Sequence, residues 1–144
     1  MAYQAFAQVY DRLMKDMPYE DWLRFTRAYW ERHSFRPVTV VELGCGTGNI
    51  AVPLARDGYQ VTGIDLSEDM LAAAQAKTAQ SGTSARWILQ DMREWGLGFP
   101  VDAVVSFCDS LNYLTEPEDI RAAFRRTFEG LAPGGRFLFD LHPP

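Results

Sequence analysis

A chain of 144 residues, 47% apolar and 23% charged, has the composition of a single globular domain with a core large enough to fold alone. Its net charge of −5 argues against a nucleic-acid backbone as the main partner, because phosphate binding asks for a basic face. No apolar run reaches the length of a membrane span, no cationic segment followed by an apolar block opens the chain, and Cys45 and Cys108 stand far apart with no Cys/His cluster. A membrane partner, secretion, a metal site and a disulfide framework are therefore not expected, and reduced thiols in the cytoplasm are.

Residues 1 to 34 are dense in aromatics. Tyr3, Phe6, Tyr10, Leu13, Met14 and Met17 fall near helical spacing and predict a first helix, which Pro18 ends. A second helix is predicted through Asp21, Trp22, Phe25 and Tyr29 to near His33 and Ser34. These two form a helical cap over 1–36, ahead of a core over 37–144. Then comes Val38-Thr39-Val40-Val41-Glu42-Leu43-Gly44-Cys45-Gly46-Thr47-Gly48: a β-branched apolar run, an acid, and three glycines at alternate positions. It reads as a buried parallel strand entering a tight turn that opens a helix, predicted from about Gly48 to Arg56. Glycine there permits positive φ and lets a ligand approach the main chain.

A second strand is predicted over 60–65, ending in Asp65, and a helix capped by Ser67 runs to about Ala79. Residues 85–90 predict a third strand ending at Asp91, and the nearly continuous apolar run 102–107 a fourth, followed by the loop Cys108-Asp109-Ser110-Leu111-Asn112-Tyr113. Pro117 and its neighbouring acids open a helix to Leu131. Pro133-Gly134-Gly135 is read as a turn and 136–141 as a fifth strand. Strands alternating with helices imply an α/β fold with a mostly parallel, doubly wound sheet covered on both faces. In such a sheet ligands lie at the carboxyl ends of the strands, which is where Asp65, Asp91 and Cys108-Asp109 fall. An acid at position 65 suits two ribose hydroxyls; one at 91 suits an adenine amino group. His33 and His142 lack sequence partners and are read as surface or structural residues.

The spacing E-x-G-x-G-x-G, led by Glu42, resembles the first motif of the class I S-adenosylmethionine (SAM)-dependent methyltransferases. Gly63 through Leu71 resembles their second motif, Leu89-Gln90-Asp91-Met92 the third, Asp102 through Tyr113 the fourth, and Leu131 through Phe137 the turn before strand five. The resemblance implies a three-layer αβα sandwich with strand order 3-2-1-4-5, two N-terminal helices, and SAM as cofactor. It places the methionyl end of SAM at Glu42, Gly44, Cys45, Gly46 and Gly48, the ribose at Asp65, and adenine near Leu66, Asp91 and Met92. Met70, in the second motif, joins that set. Cys108 would face the sulfonium methyl, and Asp109, Asn112 and Tyr113 would contact the substrate. Phe6 through Met14 resembles the opening helix of small bacterial members, in which a tyrosine covers the cofactor; Tyr10 takes that place. The reaction implied is in-line methyl transfer to a small-molecule acceptor by positioning and desolvation, with no catalytic residue singled out.

Class I folds continue past strand five with a helix and an antiparallel hairpin, whereas this sequence stops at Pro144. The expectation is the N-terminal part of a longer enzyme, or a homodimer joined through the apolar edge at Phe137, Leu138 and Phe139. The alternatives are a non-catalytic SAM-binding or partner-binding module and an NAD-dependent oxidoreductase. Asn49 stands where the dinucleotide fingerprint wants its third glycine, which disfavours the latter. RNA methylation is weakened by the acidic balance.

Overall fold

The computed structural model describes residues 18–107 and 110–140. The first predicted helix with Tyr10, together with Cys108 and Asp109, lies outside the described residues, and so does the side chain of Asn112.

Helix α1 spans Tyr19–Arg32 and buries Leu23, Thr26 and Trp30 on one face. Glu20 and Asp21 in its first turn and Arg32 in its last complement the helix dipole. β1 is Thr39–Leu43 and β2 is Gln60–Asp65. Between them lies the short helix α2, Ala51–Arg56. It starts later than the predicted Gly48, because Gly48, at φ 88°, belongs to the turn. That start leaves Pro53 in the first helical turn, where its missing N–H costs nothing. Helix α3, Glu68–Ser81, begins where Ser67 Oγ accepts from the Met70 N–H at 3.3 Å and ends at left-handed Gly82. β3 is Arg86–Leu89, β4 Val101–Ser106, and a 3₁₀ turn covers Ser110–Tyr113. Helix α4 is Pro117–Gly130, with Pro117 in its first turn as read from sequence.

β5 runs over Leu131–Phe139, longer than predicted. Leu131 already pairs with Val101, the ladder then shifts register, and pairing resumes at Ala103↔Arg136. Pro133-Gly134-Gly135 is therefore an irregularity inside an edge strand rather than a turn before it. All strand pairs are parallel, and the sheet order is β3-β2-β1-β4-β5, as the resemblance implied.

Alternating residues of the strands feed two apolar clusters, one on each face. Val40, Val61, Ala103, Val105 and Leu138 pack under Leu23 and Trp30 of α1 and under Ala51, Leu54 and Ala55 of α2. Val41, Leu43, Ile64 and Val104 pack with Trp95 and Phe137. Trp95 is wedged beneath α4, its Nε1–H donating to Thr127 Oγ1 at 3.2 Å. Burying each such side chain contributes about 1.5–3 kcal/mol, so this core holds the strand ends rigidly for the site above. One contact crosses the strands. Gly63 of β2 pairs in register with Trp87 of β3, and the indole lies over the bare glycine backbone. A Cβ on Gly63 would fall 2.5 Å from Trp87 Cε3 and 2.8 Å from Cys45 Sγ. A glycine inside a strand marks such a close approach. No helix among the described residues is long and apolar enough to cross a membrane.

Candidate functional site

The sheet order reverses between β1 and β4, which opens a crevice at their carboxyl ends. A cleft of about 560 Å³ lies there. Its floor is the glycine turn after β1. Its walls come from the residues after β2 and β3, and its far side from the 3₁₀ turn and the start of α4.

The turn is built from backbone that only glycine accepts easily. Gly44, Gly46 and Gly48 have φ of 67°, 55° and 88°. The N–H groups of Gly44 and Cys45 both donate to the Ile64 carbonyl, at 2.8 and 3.0 Å, fastening the turn to β2. At Gly44 a Cβ would meet Ser110 Oγ at 2.6 Å, so the 3₁₀ turn closes over it only because no side chain is there. Ser110 is held in turn by donating to the Phe107 carbonyl at 2.8 Å. On the other side Lys77 Nζ donates to Thr47 Oγ1 at 3.0 Å and Asn49 Oδ1 at 3.1 Å, which gives Asn49 a role that a fingerprint glycine would lack.

Four acidic or thiol groups surround this turn, in different states. Asp65 is half-buried; its Oδ2 accepts from the Gly46 N–H and its Oδ1 from the Ser67 N–H, each at 2.9 Å. Backbone donors thus fix the carboxylate at the cleft wall. Asp91 is held instead by Arg93, whose hydrogen bonds keep its carboxyl below the usual carboxylate range. Glu42 is 2% exposed and lies under the turn, not in the cleft wall. Burial pushes its carboxyl well above the ordinary range; a hydrogen bond from the Ala51 N–H opposes that, and the Asp65 charge adds to it. Its Oε1 has no hydrogen-bond partner among the described residues. Cys45 turns its sulfur toward the sheet. Burial, then the charges of Glu42 and Asp65, raise its thiol, so it is a poor nucleophile at neutral pH.

Of the residues singled out from sequence, Gly44, Gly46, Asp65, Leu66, Met70, Asp91, Met92 and Tyr113 come together around the cleft. Glu42, Cys45 and Gly48 do not line it; they shape or underlie the turn. Tyr10, Cys108 and Asp109 lie outside the described residues, as does the Asn112 side chain. His33 stacks on Tyr29, with ring centroids 4.1 Å apart, and does not line the cleft. Sequence reasoning missed Ser110, Arg93 and Asp119 as wall residues. Arg93, two residues beyond a strand-end acid, was the one legible signal. Among the described residues no group of three or more His, Cys, Asp or Glu is placed to hold a metal ion.

The cleft suits a nucleoside carrying a cationic amino-acid tail. Leu66, 69% exposed, offers apolar surface at the rim for a flat base. Asp65 presents a fixed acceptor to a diol.

Comparison with known proteins agrees with that geometry. A methyltransferase domain family matches residues 40–135. The chain is 42% identical to a candidate methyltransferase of Geobacillus sp. (strain WCH70) and 45% identical to YqeM, a candidate methyltransferase of Bacillus subtilis (strain 168); each match covers 99% of this chain. It spans 58% and 56% of their lengths, little more than half of these curated relatives. The crystal structure of an S-adenosylmethionine-dependent methyltransferase from Clostridium acetobutylicum ATCC 824 superposes with a TM-score of 0.87 at 29% identity, covering 98% of this chain and 58% of that one. By its sequence over residues 40–135 and by the order of its parallel sheet, the chain belongs to the class I SAM-dependent methyltransferases.

Proposed function

We propose that this chain binds SAM in the cleft and that the protein transfers its methyl group to a small-molecule acceptor in the cytoplasm. The observation that carries the reading is the Asp65 carboxylate. It is locked by two backbone N–H groups at the end of β2, beside a glycine turn that has no room for a side chain. In this reading Asp65 accepts from the ribose hydroxyls. Leu66, Met70 and Met92 form the apolar wall for adenine, with Asp91 at its edge. Gly44 and Gly46 let the methionyl portion lie against the backbone, and Glu42 supplies the buried acceptor for its amino group.

When bound, SAM supplies a methyl group already activated on a sulfonium. The chain's own residues then have to orient it and keep water out, which is positioning and desolvation rather than acid–base chemistry. Tyr113, at the open side of the cleft, contacts the acceptor in this reading. Asp109, Asn112, Cys108 and Tyr10 remain proposed contacts from the family resemblance. Pairing through the β5 edge, where Phe137 and Phe139 pack on Phe124, is the proposed dimer contact.

The test is titration calorimetry with SAM and S-adenosylhomocysteine on the chain and on Asp65→Ala. Micromolar binding that the substitution abolishes supports the reading. A folded chain that binds neither ligand overturns it.

A further inference from the structure

Both oxygens of Asp91 are already engaged. Its Oδ1 accepts from the Arg93 backbone N–H at 2.9 Å and from Arg93 Nε at 3.0 Å; its Oδ2 accepts from Nε at 3.1 Å and from Nη2 at 2.6 Å. An ionised carboxylate offers about four acceptor positions, and three N–H groups of one residue, the Nε–H shared between both oxygens, engage both oxygens. The remaining arm of the same guanidinium, Nη1, donates to Asp119 Oδ1 at 3.1 Å, in the first turn of α4. Asp91, Arg93 and Asp119 all face the cleft, so the guanidinium ties the end of β3 to the start of α4 along one wall.

An amino group brought to Asp91 must therefore share an oxygen with donors of Arg93. We propose that Arg93 competes with the purine for Asp91, and thereby sets both the affinity for the nucleoside and its selectivity for an amino over an oxo substituent. On entry of the ligand the guanidinium yields a contact on Asp91 to the exocyclic amino group and stays tethered to Asp119. This rests on the reading of the cleft as the SAM site. The exchange is physically easy. The Arg93 side chain is 42% exposed, so water solvates each released N–H, and an ion pair of that exposure contributes little. Asp119 supplies a second anion that remains in place, which the Arg93 fork is shaped to hold. A 6-oxo purine presents an acceptor where adenine presents a donor. It gains nothing from a vacated Asp91 and loses a donor if the guanidinium is removed.

The experiment is calorimetry with S-adenosylhomocysteine and S-inosylhomocysteine on the chain, on Arg93→Gln and on Asp119→Asn. Arg93→Gln is expected to tighten S-adenosylhomocysteine about two- to fivefold and to leave S-inosylhomocysteine unchanged or weaker. Asp119→Asn removes the second anchor, leaves the guanidinium with Asp91 as its one carboxylate partner in this wall, and is expected to weaken S-adenosylhomocysteine. A merely structural ion pair would weaken binding in both variants, so the opposite signs carry the inference. Equal or weaker S-adenosylhomocysteine binding in Arg93→Gln overturns it while leaving the cofactor reading intact. A chain that binds neither nucleoside overturns both. Arg93→Lys, which keeps the charge but not the bidentate fork, is expected to fall between wild type and Arg93→Gln.

Discussion

The ends of β2 and β3 carry the same residue type in the same topological place, and the fold treats them oppositely. Asp65 is fastened by the N–H groups of Gly46 and Ser67, donors that belong to the backbone and cannot leave. Asp91 is fastened chiefly by the Arg93 side chain, a donor that can swing away. Backbone anchoring spends one acceptor position on each oxygen of Asp65 and leaves the others aimed at the cleft. The guanidinium fork of the cleft side chain Arg93 instead engages both oxygens of Asp91. An acid at the carboxyl end of a parallel strand is thus a ready binding group in one case and a contested one in the other. What holds the acid decides which.

The largest test breaks the first half of that comparison. Asp65→Ala removes both the proposed ribose acceptor and the tie between the turn and the β2–α3 loop. S-adenosylhomocysteine affinity should fall at least about thirtyfold, since hydrogen bonds to a charged group are worth about 1.5–3 kcal/mol each, and calorimetry reads it. Gly44→Ala acts on the turn to which Asp65 is tied. Its Cβ would meet Ser110 Oγ at 2.6 Å with φ at 67°. A cost of about 1–3 kcal/mol is expected, seen as weaker ligand binding and a lower Tm together.

Glu42 sharpens the comparison as a carboxyl with neither a guanidinium nor a full set of backbone donors. Its carboxyl is raised above the ordinary value of 4.5, so the native state holds its proton where the unfolded chain has lost it. The stability linked to Glu42 is fully present below that value and is lost as pH rises through the native-state titration. Glu42→Gln is expected to stabilise the ligand-free protein at pH 7 by about 1–2 kcal/mol. That gain should vanish in thermal melts below pH 4.5. The smallest effect belongs to Asp91. Its carboxyl is lowered from the ordinary value of 3.8, so its stabilisation is present above that value and is lost as pH falls below it through the native-state titration. Asp91→Asn should lower Tm at neutral pH by about 1–3 °C and flatten the acid limb, because the pair is partly exposed and water screens it.

Strand order came with the family resemblance, whereas the strands themselves, the glycine turn and the place of Asp65 at the end of β2 were legible from local chemistry: β-branched runs, alternate glycines, an acid before a capping serine. Boundaries slipped where tertiary contacts overrode local pattern. Gly48 stayed in the turn instead of opening α2, and Leu131 paired with Val101 before the Pro133-Gly134-Gly135 irregularity. The burial of Glu42 and Cys45 under the turn was not legible, because it depends on contacts between elements such as the Ala51 N–H on Glu42. The Arg93–Asp119 bridge joins residues 26 positions apart, and no periodicity announces it. Ser110 was visible only as a loop residue until the missing side chain at Gly44 gave it a place.

Gly63 and Trp87 share one volume. A methyl group at position 63 and an indole at position 87 cannot both be seated on the backbone of β2, and the same ring reaches within 3.2 Å of where a Cβ would stand on Gly48. An evolving lineage that abandons the glycine must therefore shrink the tryptophan almost at once. The two positions should co-vary among homologues, with a small residue at 87 wherever 63 carries a side chain.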